Sequence, residues 1–555
     1  MWSTSVLAAW TRADTHNFII YSNGDRVGLE QFANDVERFD ALLRLRFGVG
    51  RDEAPKRLTI YVVSSQSDVG AVLDGRPEFV AGFYIPETET SFAVVHRGKK
   101  DDLFDLSGQE VLFHEYAHHF MFRHFTTAYP AWFTEGFAEF VATATIAPDG
   151  HWTLGKPARY RTRDLVTDSP LPVEKLLDSK ISKLRGGEIF QFYARSWLLA
   201  HMLYTQPQYA GKLSQYAQLV TNGTPSLEAA KTAFGDLKAL DKTLQSYVSA
   251  KMQFISSSRA IAIDGPVTVT QLDPLQSQLV ELRLKRRTGG QVLQARDTLR
   301  TLTAQNPQNA ELWSELAYAE LAVAGKAAAK AEREKDEADR KAKEKEKEKT
   351  KGAVKDKAKG GEDDEIVVTA IKDDDTIAAH AADSAAETAA DRALAVDPTN
   401  VIANNVKGEV ATWRLKQSGD ASAAHWQAAR SWYRKASNAD SDDALSALGW
   451  FMSFKRQGKV PPSGAVQGLE GAFQRAPEAE DLRSRLAFDL ARREQYDAAI
   501  ELMKVIAYSP HARPLSRAML KKLQDMKADA DAAKGNEKPA AAEPKPAQAA
   551  PKPAS

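Results

Sequence analysis

Cysteine is absent from all 555 positions. That excludes disulfides, a thiolate metal site and a cysteine nucleophile, so a metal would have to be held by histidine and carboxylate. The absence also suits an oxidising compartment, where stray thiols mispair. No apolar run approaches the roughly 18 residues a bilayer-spanning helix needs, so no transmembrane segment is expected. Nor is there an excess of charge: Lys+Arg and Asp+Glu each number 74. With no basic field, nucleic acid is not an expected partner. The opening stretch Met1–Trp10 lacks a basic n-region and has too short an apolar core for a secretory signal. Localisation is therefore cytoplasmic or, with a native start upstream, periplasm or cell envelope.

A chain of this length exceeds what one hydrophobic core usually supports, so two or more domains are expected. Residues 18–22 and 57–63 are β-rich and flank a helical pattern of Leu29, Phe32, Val36, Phe39, Leu42 and Leu43, giving a β-α-β opening. Residues 79–85 and 91–96 read as a further strand pair joined by the polar loop Pro86–Thr90. This α+β part spans 1–104, and a mostly helical part spans 105–265. From 278 to 525 the chain is Ala-rich and helical, with turn signals at Asn306–Asn309, Asp397–Asn400, Asn438–Asp440 and Arg475–Pro477. The later intervals, 37 residues from Asp440 to Pro477 and 33 from Pro477 to Pro510, lie near the roughly 34-residue tetratricopeptide period. A Lys/Glu/Asp-rich insertion at 326–375 breaks the repeat and lacks apolar periodicity, apart from the island Glu365–Ala370. The Pro/Ala-rich tail 530–555 is expected to be extended.

The chemistry concentrates in His114-Glu115-Tyr116-Ala117-His118. Histidines at i and i+4 of a helix project from one face and can grip one ion, with Glu115 beside it. Ser107-Gly108-Gln109-Glu110 supplies a capping box to start that helix. Roughly 0.03 such motifs are expected by chance at this His and acid content. After Tyr129-Pro130, with Pro130 suited to the first helical position, a second apolar helix places Glu135 and Glu139 on one face. A carboxylate from that face completes a His₂Glu set and leaves the fourth zinc position open, as catalytic sites do. Gly136 removes a side chain where two helices must approach closely. His119 and His124 fall off the metal face or one turn past it, His201 reads as packing, and Trp313, Trp432, Tyr433, Trp450 and Phe451 read as core between repeat helices.

These residues resemble the gluzincin peptidases, the thermolysin-like clan that includes the aminopeptidase N family. There the HExxH helix is followed by a helix with the ligand Glu in an Asn-Glu-Gly-Phe-Ala type string, which Thr134-Glu135-Gly136-Phe137-Ala138 matches closely. The resemblance implies one Zn²⁺ held by His114, His118 and Glu135, with Glu139 orienting His114 by a hydrogen bond. Tyr193-Ala194-Arg195-Ser196 is similar to the aminopeptidase Tyr-x-Lys-Gly string, which implies that Tyr193 stabilises the oxyanion. Ser196 departs from that string. The Gly-x-Met-Glu-Asn string that holds a substrate's free amine is replaced by Gly82-Phe83-Tyr84-Ile85-Pro86-Glu87, which weakens the exopeptidase reading and leaves endopeptidase versus exopeptidase action unresolved. The whole chain resembles peptidase MA-like bacterial proteins, over about 15–260 for the peptidase part and more loosely over 280–525 for the repeats.

The expectation is thus a thermolysin-like zincin domain followed by an all-α helical-repeat domain. In the expected mechanism zinc polarises the scissile carbonyl and acidifies its water, Glu115 takes the proton, and Tyr193 steadies the oxyanion. A peptide or protein is the substrate, and the repeats recruit it or a protein partner. The alternative is a helical-repeat scaffold with a non-catalytic pseudopeptidase domain that binds metal or peptides. Replacing Glu115 with Gln separates them: zinc stays bound while cleavage of an unstructured protein falls by about 10²–10⁴-fold. Cleavage by Glu115→Gln at the wild-type rate removes the assignment, and a metal-free, inert wild type supports the scaffold.

Overall fold

The computed structural model describes residues 9–24, 26–53, 55–73, 80–98, 106–125, 129–167, 169–178, 181–326, 384–508 and 514–536. The β-branched and aromatic runs form strands as their composition dictates: β1 Thr11–Asp14, β2 Phe18–Ser22, β3 Leu58–Val63, β4 Gly82–Ile85 and β5 Phe92–His96. With β9, Thr268–Gln271, they make a six-stranded sheet in the order β4-β5-β3-β2-β1-β9. The inner strands β2, β3 and β5 are parallel, pairing Ile20 with Ile60 and Ile60 with Ala93. The outer strands β4, β1 and β9 run antiparallel to their neighbours. All six residues of β3 are buried, as expected of a strand covered on both faces.

One face of the sheet (Ile20, Ile60, Val62, Ala93, Val95) packs on α1, Arg26–Phe47, and on α3, Gly108–His124, through Leu29, Val36, Phe39, Leu112 and Phe113. The other face (Tyr21, Tyr61, Val63, Phe92, Val94) packs on Val69 of α2, Gln66–Val72, and on Val280 and Leu284 of the helix Pro274–Thr288. The first core therefore draws on chain beyond 265, because β9 extends the sheet and the following helix seals its second face. The capping box forms as read from the sequence: Ser107 accepts from the Glu110 amide while the Glu110 side chain accepts from the Ser107 amide. Helix α4 spans Ala131–Ala142 with Pro130 at its N-cap, one position earlier than expected, and every residue from Trp132 to Ala142 is buried.

A small second sheet joins β6 Thr145–Ile146, β7 Trp152–Leu154 and β8 Ile255–Ser257. Between β7 and β8 lie a 3₁₀ turn Arg159–Arg161, short helices α5 Thr162–Leu165 and α6 Val173–Asp178, and the long α7, Gly187–Thr205. Beyond 273 the described chain is all helical, and the turn signals at 306–309, 397–400, 438–440 and 475–477 each fall between or at the ends of helices. Most of the charged insertion lies outside the described residues. Residues 530–536, expected to be extended, instead continue the last helix to Asn536 through the strong helix formers Ala530, Ala532, Ala533 and Lys534, and the rest of the tail lies outside the described residues. No described helix is long and apolar enough to cross a membrane.

The helical part grips the edge of the sheet nearest α3. Arg286 bonds both oxygens of Glu89 at 2.8 and 3.1 Å, and Arg287 bonds Glu87 at 3.0 Å, so the loop after β4 is clamped. Arg123, in the last turn of α3, donates to the Arg475 carbonyl at 2.9 Å.

Helices α4 and α7 cross at Gly136, where a Cβ would meet the Ser196 carbonyl oxygen at 2.4 Å and the Ala200 methyl at 3.2 Å. Because the obstacle is backbone, Gly136→Ala pushes the helices apart and lowers stability by about 1–3 kcal/mol, read as a lower urea midpoint at unchanged slope.

Candidate metal centre

Helical spacing puts His114 and His118 on one face of α3, and the packing of α4 brings Glu135 onto that face. Their Nε2 atoms are 3.2 Å apart, and Glu135 Oε2 lies 3.4 Å from His114 Nε2 and 3.6 Å from His118 Nε2. Among the described residues these three form a group able to hold a metal ion. A zinc ion with ligands at about 2.0–2.1 Å has tetrahedral edges of about 3.3–3.4 Å. The three separations match one face of such a tetrahedron, and the two-imidazole, one-carboxylate donor set is the kind that zinc accepts.

Glu135 is 0% exposed, and a buried carboxylate needs a positive or donating neighbour. Burial works against a charge on His114 and is the largest influence on it. The bond to Glu135 and the field of Glu139 together overcome that, raising the imidazolium pKa to about 9. The other ring nitrogen, Nδ1, is 3.5 Å from Glu139 Oε1. The ring is thus shared between two carboxylates, one at each nitrogen, which fixes its plane.

Glu139 is itself held by the 3₁₀ turn: the Tyr160 hydroxyl donates to Oε2 at 3.0 Å, Arg161 Nε donates to Oε2 at 3.2 Å, and Arg161 Nη2 donates to Oε1. The Arg161 guanidinium lies over the Tyr193 ring, 5.3 Å from its centroid. Tyr193 is on α7, and its hydroxyl pKa is raised by burial first and then by Glu135 and Glu139. The phenol is therefore protonated throughout the neutral range and is able to donate a hydrogen bond. Glu115 is partly exposed and acts electrostatically on both His114 and Tyr193.

Every residue singled out from the sequence for this site lies in or beside it. Tyr160 and Arg161 escaped sequence reading because a polar stretch with three arginines between 159 and 163 carries no spacing signal. Arg195, aligned with the basic residue of the aminopeptidase string, is buried and bonds Asp241 at 2.6 Å, tying α7 to the helix Leu237–Tyr247. His119 is buried, accepts or donates at Nδ1 to the Tyr84 hydroxyl at 3.0 Å, and is held neutral by burial, its pKa down to about 3. It joins α3 to edge strand β4. His201 is packing, bonded to Tyr247 and the Gly155 carbonyl.

Comparison with protein-family models and with curated proteins finds no match to this chain.

A divalent ion entering the three donors has to displace the His114 proton. Since that group is charged up to about pH 9 in the metal-free protein, ion affinity falls by about tenfold per unit as pH drops below 9, with close to one proton released at pH 7. Calorimetric titration in two buffers of different ionisation enthalpy measures the release. Affinity that is flat between pH 6 and 8 contradicts it, and Glu139→Gln, which removes a charge favouring the imidazolium, weakens the dependence.

Proposed function

We propose that this chain is a zinc-dependent peptidase of the gluzincin kind, a thermolysin-like domain joined to tetratricopeptide-like repeats that recruit a protein substrate or partner. The observation that carries the reading is the donor triangle of His114, His118 and Glu135 at tetrahedral spacing, with Glu115 adjacent on the same helix. A zinc ion held there supplies Lewis acidity and lowers the pKa of its bound water.

The chain's own residues supply the rest. Glu115, one residue after the first histidine, takes the proton from the attacking water and later delivers it to the leaving amine, as a general base then acid. Tyr193, a phenol whose pKa burial and then Glu135 and Glu139 raise, donates to the oxygen on which charge develops. Glu139 Oε1, 3.5 Å from His114 Nδ1, favours the proton on that nitrogen, which leaves the Nε2 lone pair for the metal. Edge strand β4, antiparallel to β5 and packed beside α3, offers an extended backbone along which a peptide can be aligned.

The test combines metal analysis with cleavage of casein as an unstructured substrate. The wild type is expected to carry one zinc per chain and to cleave casein. Tyr193→Phe retains the zinc and loses about 10²–10³-fold in kcat, the usual effect of removing one oxyanion donor. A wild type that takes up no zinc and cleaves nothing overturns the reading. A proteome-wide cleavage profile against Glu115→Gln then separates internal from terminal cuts.

A further inference from the structure

We infer that Arg161 is a positioning residue for this site, holding the Glu139 carboxylate against His114 and the Tyr193 ring in place with one guanidinium. The inference rests on the peptidase reading above and extends it to a residue in neither metal-site helix.

The argument is geometric. A guanidinium has an edge, which matches a carboxylate, and a face, which stacks on an aromatic ring. Arg161 meets both kinds of partner. Its edge, through Nε and Nη2, takes both oxygens of Glu139, and Oε1 of that carboxylate is the atom 3.5 Å from His114 Nδ1. Its Cζ lies over the Tyr193 ring, 5.3 Å from the centroid, and over the Tyr160 ring at 5.4 Å. The Arg161 side chain is 15% exposed and Glu139 2% exposed, so this is an interior pair in which water competes little. Tyr160, adjacent in the chain, adds a hydroxyl to Oε2 of the same carboxylate. Asp164, the other acid near Arg161, is more distant, at 4.0 Å.

The consequence is a link between two groups otherwise on different helices. His114 is on α3 and Tyr193 on α7, and Arg161, on the turn after β7, contacts Tyr193 directly and His114 through Glu139. Loss of Arg161 frees the carboxylate to turn from His114 and removes the support beneath Tyr193. Ligand orientation and oxyanion donor then degrade together. A lysine at 161 keeps the charge near Glu139 but has neither the fork nor the flat face.

The test uses the full chain, with zinc affinity measured by chelator competition and kcat and KM for a casein-derived peptide measured at saturating zinc. Arg161→Gln is expected to weaken zinc binding by about 10–100-fold, the usual range for partners of a ligating histidine, and to lower kcat with little change in KM. Adding Glu139→Gln to it should weaken zinc no further, and adding Tyr193→Phe should cost kcat less than it does in the wild type. Arg161→Gln with wild-type zinc affinity and kcat, or full additivity in both pairs, overturns the inference. Should Arg161→Gln fail to fold by thermal melting, Arg161→Lys decides: zinc affinity closer to wild type with kcat reduced supports the inference, and wild-type kcat overturns it. A wild type without zinc or activity would remove the peptidase reading itself, whereas an active, zinc-loaded wild type matched by its Arg161 variants removes this inference alone.

Discussion

The centre of the first domain depends on burying carboxylates inside an apolar helix. Helix α4 has no exposed face: Trp132, Phe133, Phe137, Phe140 and Val141 are packed on all sides, and Glu135 and Glu139 are buried among them. An ionised carboxylate in such surroundings costs several kcal/mol unless positive charge or donors meet it. His114 meets both, from opposite ring nitrogens, and Arg161 with Tyr160 completes the coordination of Glu139. The arrangement of α3, α4, α7 and the 159–161 turn follows from that requirement. Helix α3 and the turn bring groups that Glu135 or Glu139 needs, and α7 brings Tyr193, whose pKa burial raises first and their charge next.

The same electrostatic logic operates at the edge of the sheet. Burial is the largest influence on Glu89 and opposes its charge, yet Arg286 and Arg287 outweigh it and hold the carboxylate down at about 2. The loop after β4 is therefore fixed by arginines from a helix whose other side chains, Val280 and Leu284, seal the sheet. Within β4, Tyr84 bonds His119 of α3. The C-terminal part of the edge strand and the loop after it are thus held by two elements, the helical part and the helix that carries the histidines. In the proposed peptidase this is the strand along which substrate would lie, so its rigidity bears on how a peptide is presented.

Much of the site was legible before any coordinates. The helix over the histidines was readable because its start is marked by Ser107 and Glu110, a local signal that the structure realises atom for atom. Strands β2, β3 and β5 were readable from β-branched runs. Strand β9 was not: Thr268–Gln271 is short and exposed on an edge, and its place in the sheet comes only from pairing with β1, more than 250 residues earlier. Arg161 was invisible for a related reason, since a lone arginine in a polar stretch looks like any solvated cation until the chain folds it onto Glu139.

What the sequence by itself determined is what helical geometry converts directly into space: His114 and His118 on one face, Glu135 and Glu139 on one face, and Glu115 beside the histidines, because a period of 3.6 residues leaves no alternative once the helix forms. It also excluded sulfur from any metal site by having none. Tertiary structure alone decided that the two faces meet, with Glu135 Oε2 3.4 and 3.6 Å from the two histidine Nε2 atoms. Those distances depend on how closely α4 approaches α3, while Gly136 lying against the Ser196 backbone lets α7 close on the other side of α4. It likewise decided the role of Arg161, whose partners come from sites 22 and 32 residues away. Contacts at such separations follow from packing, which no local pattern encodes.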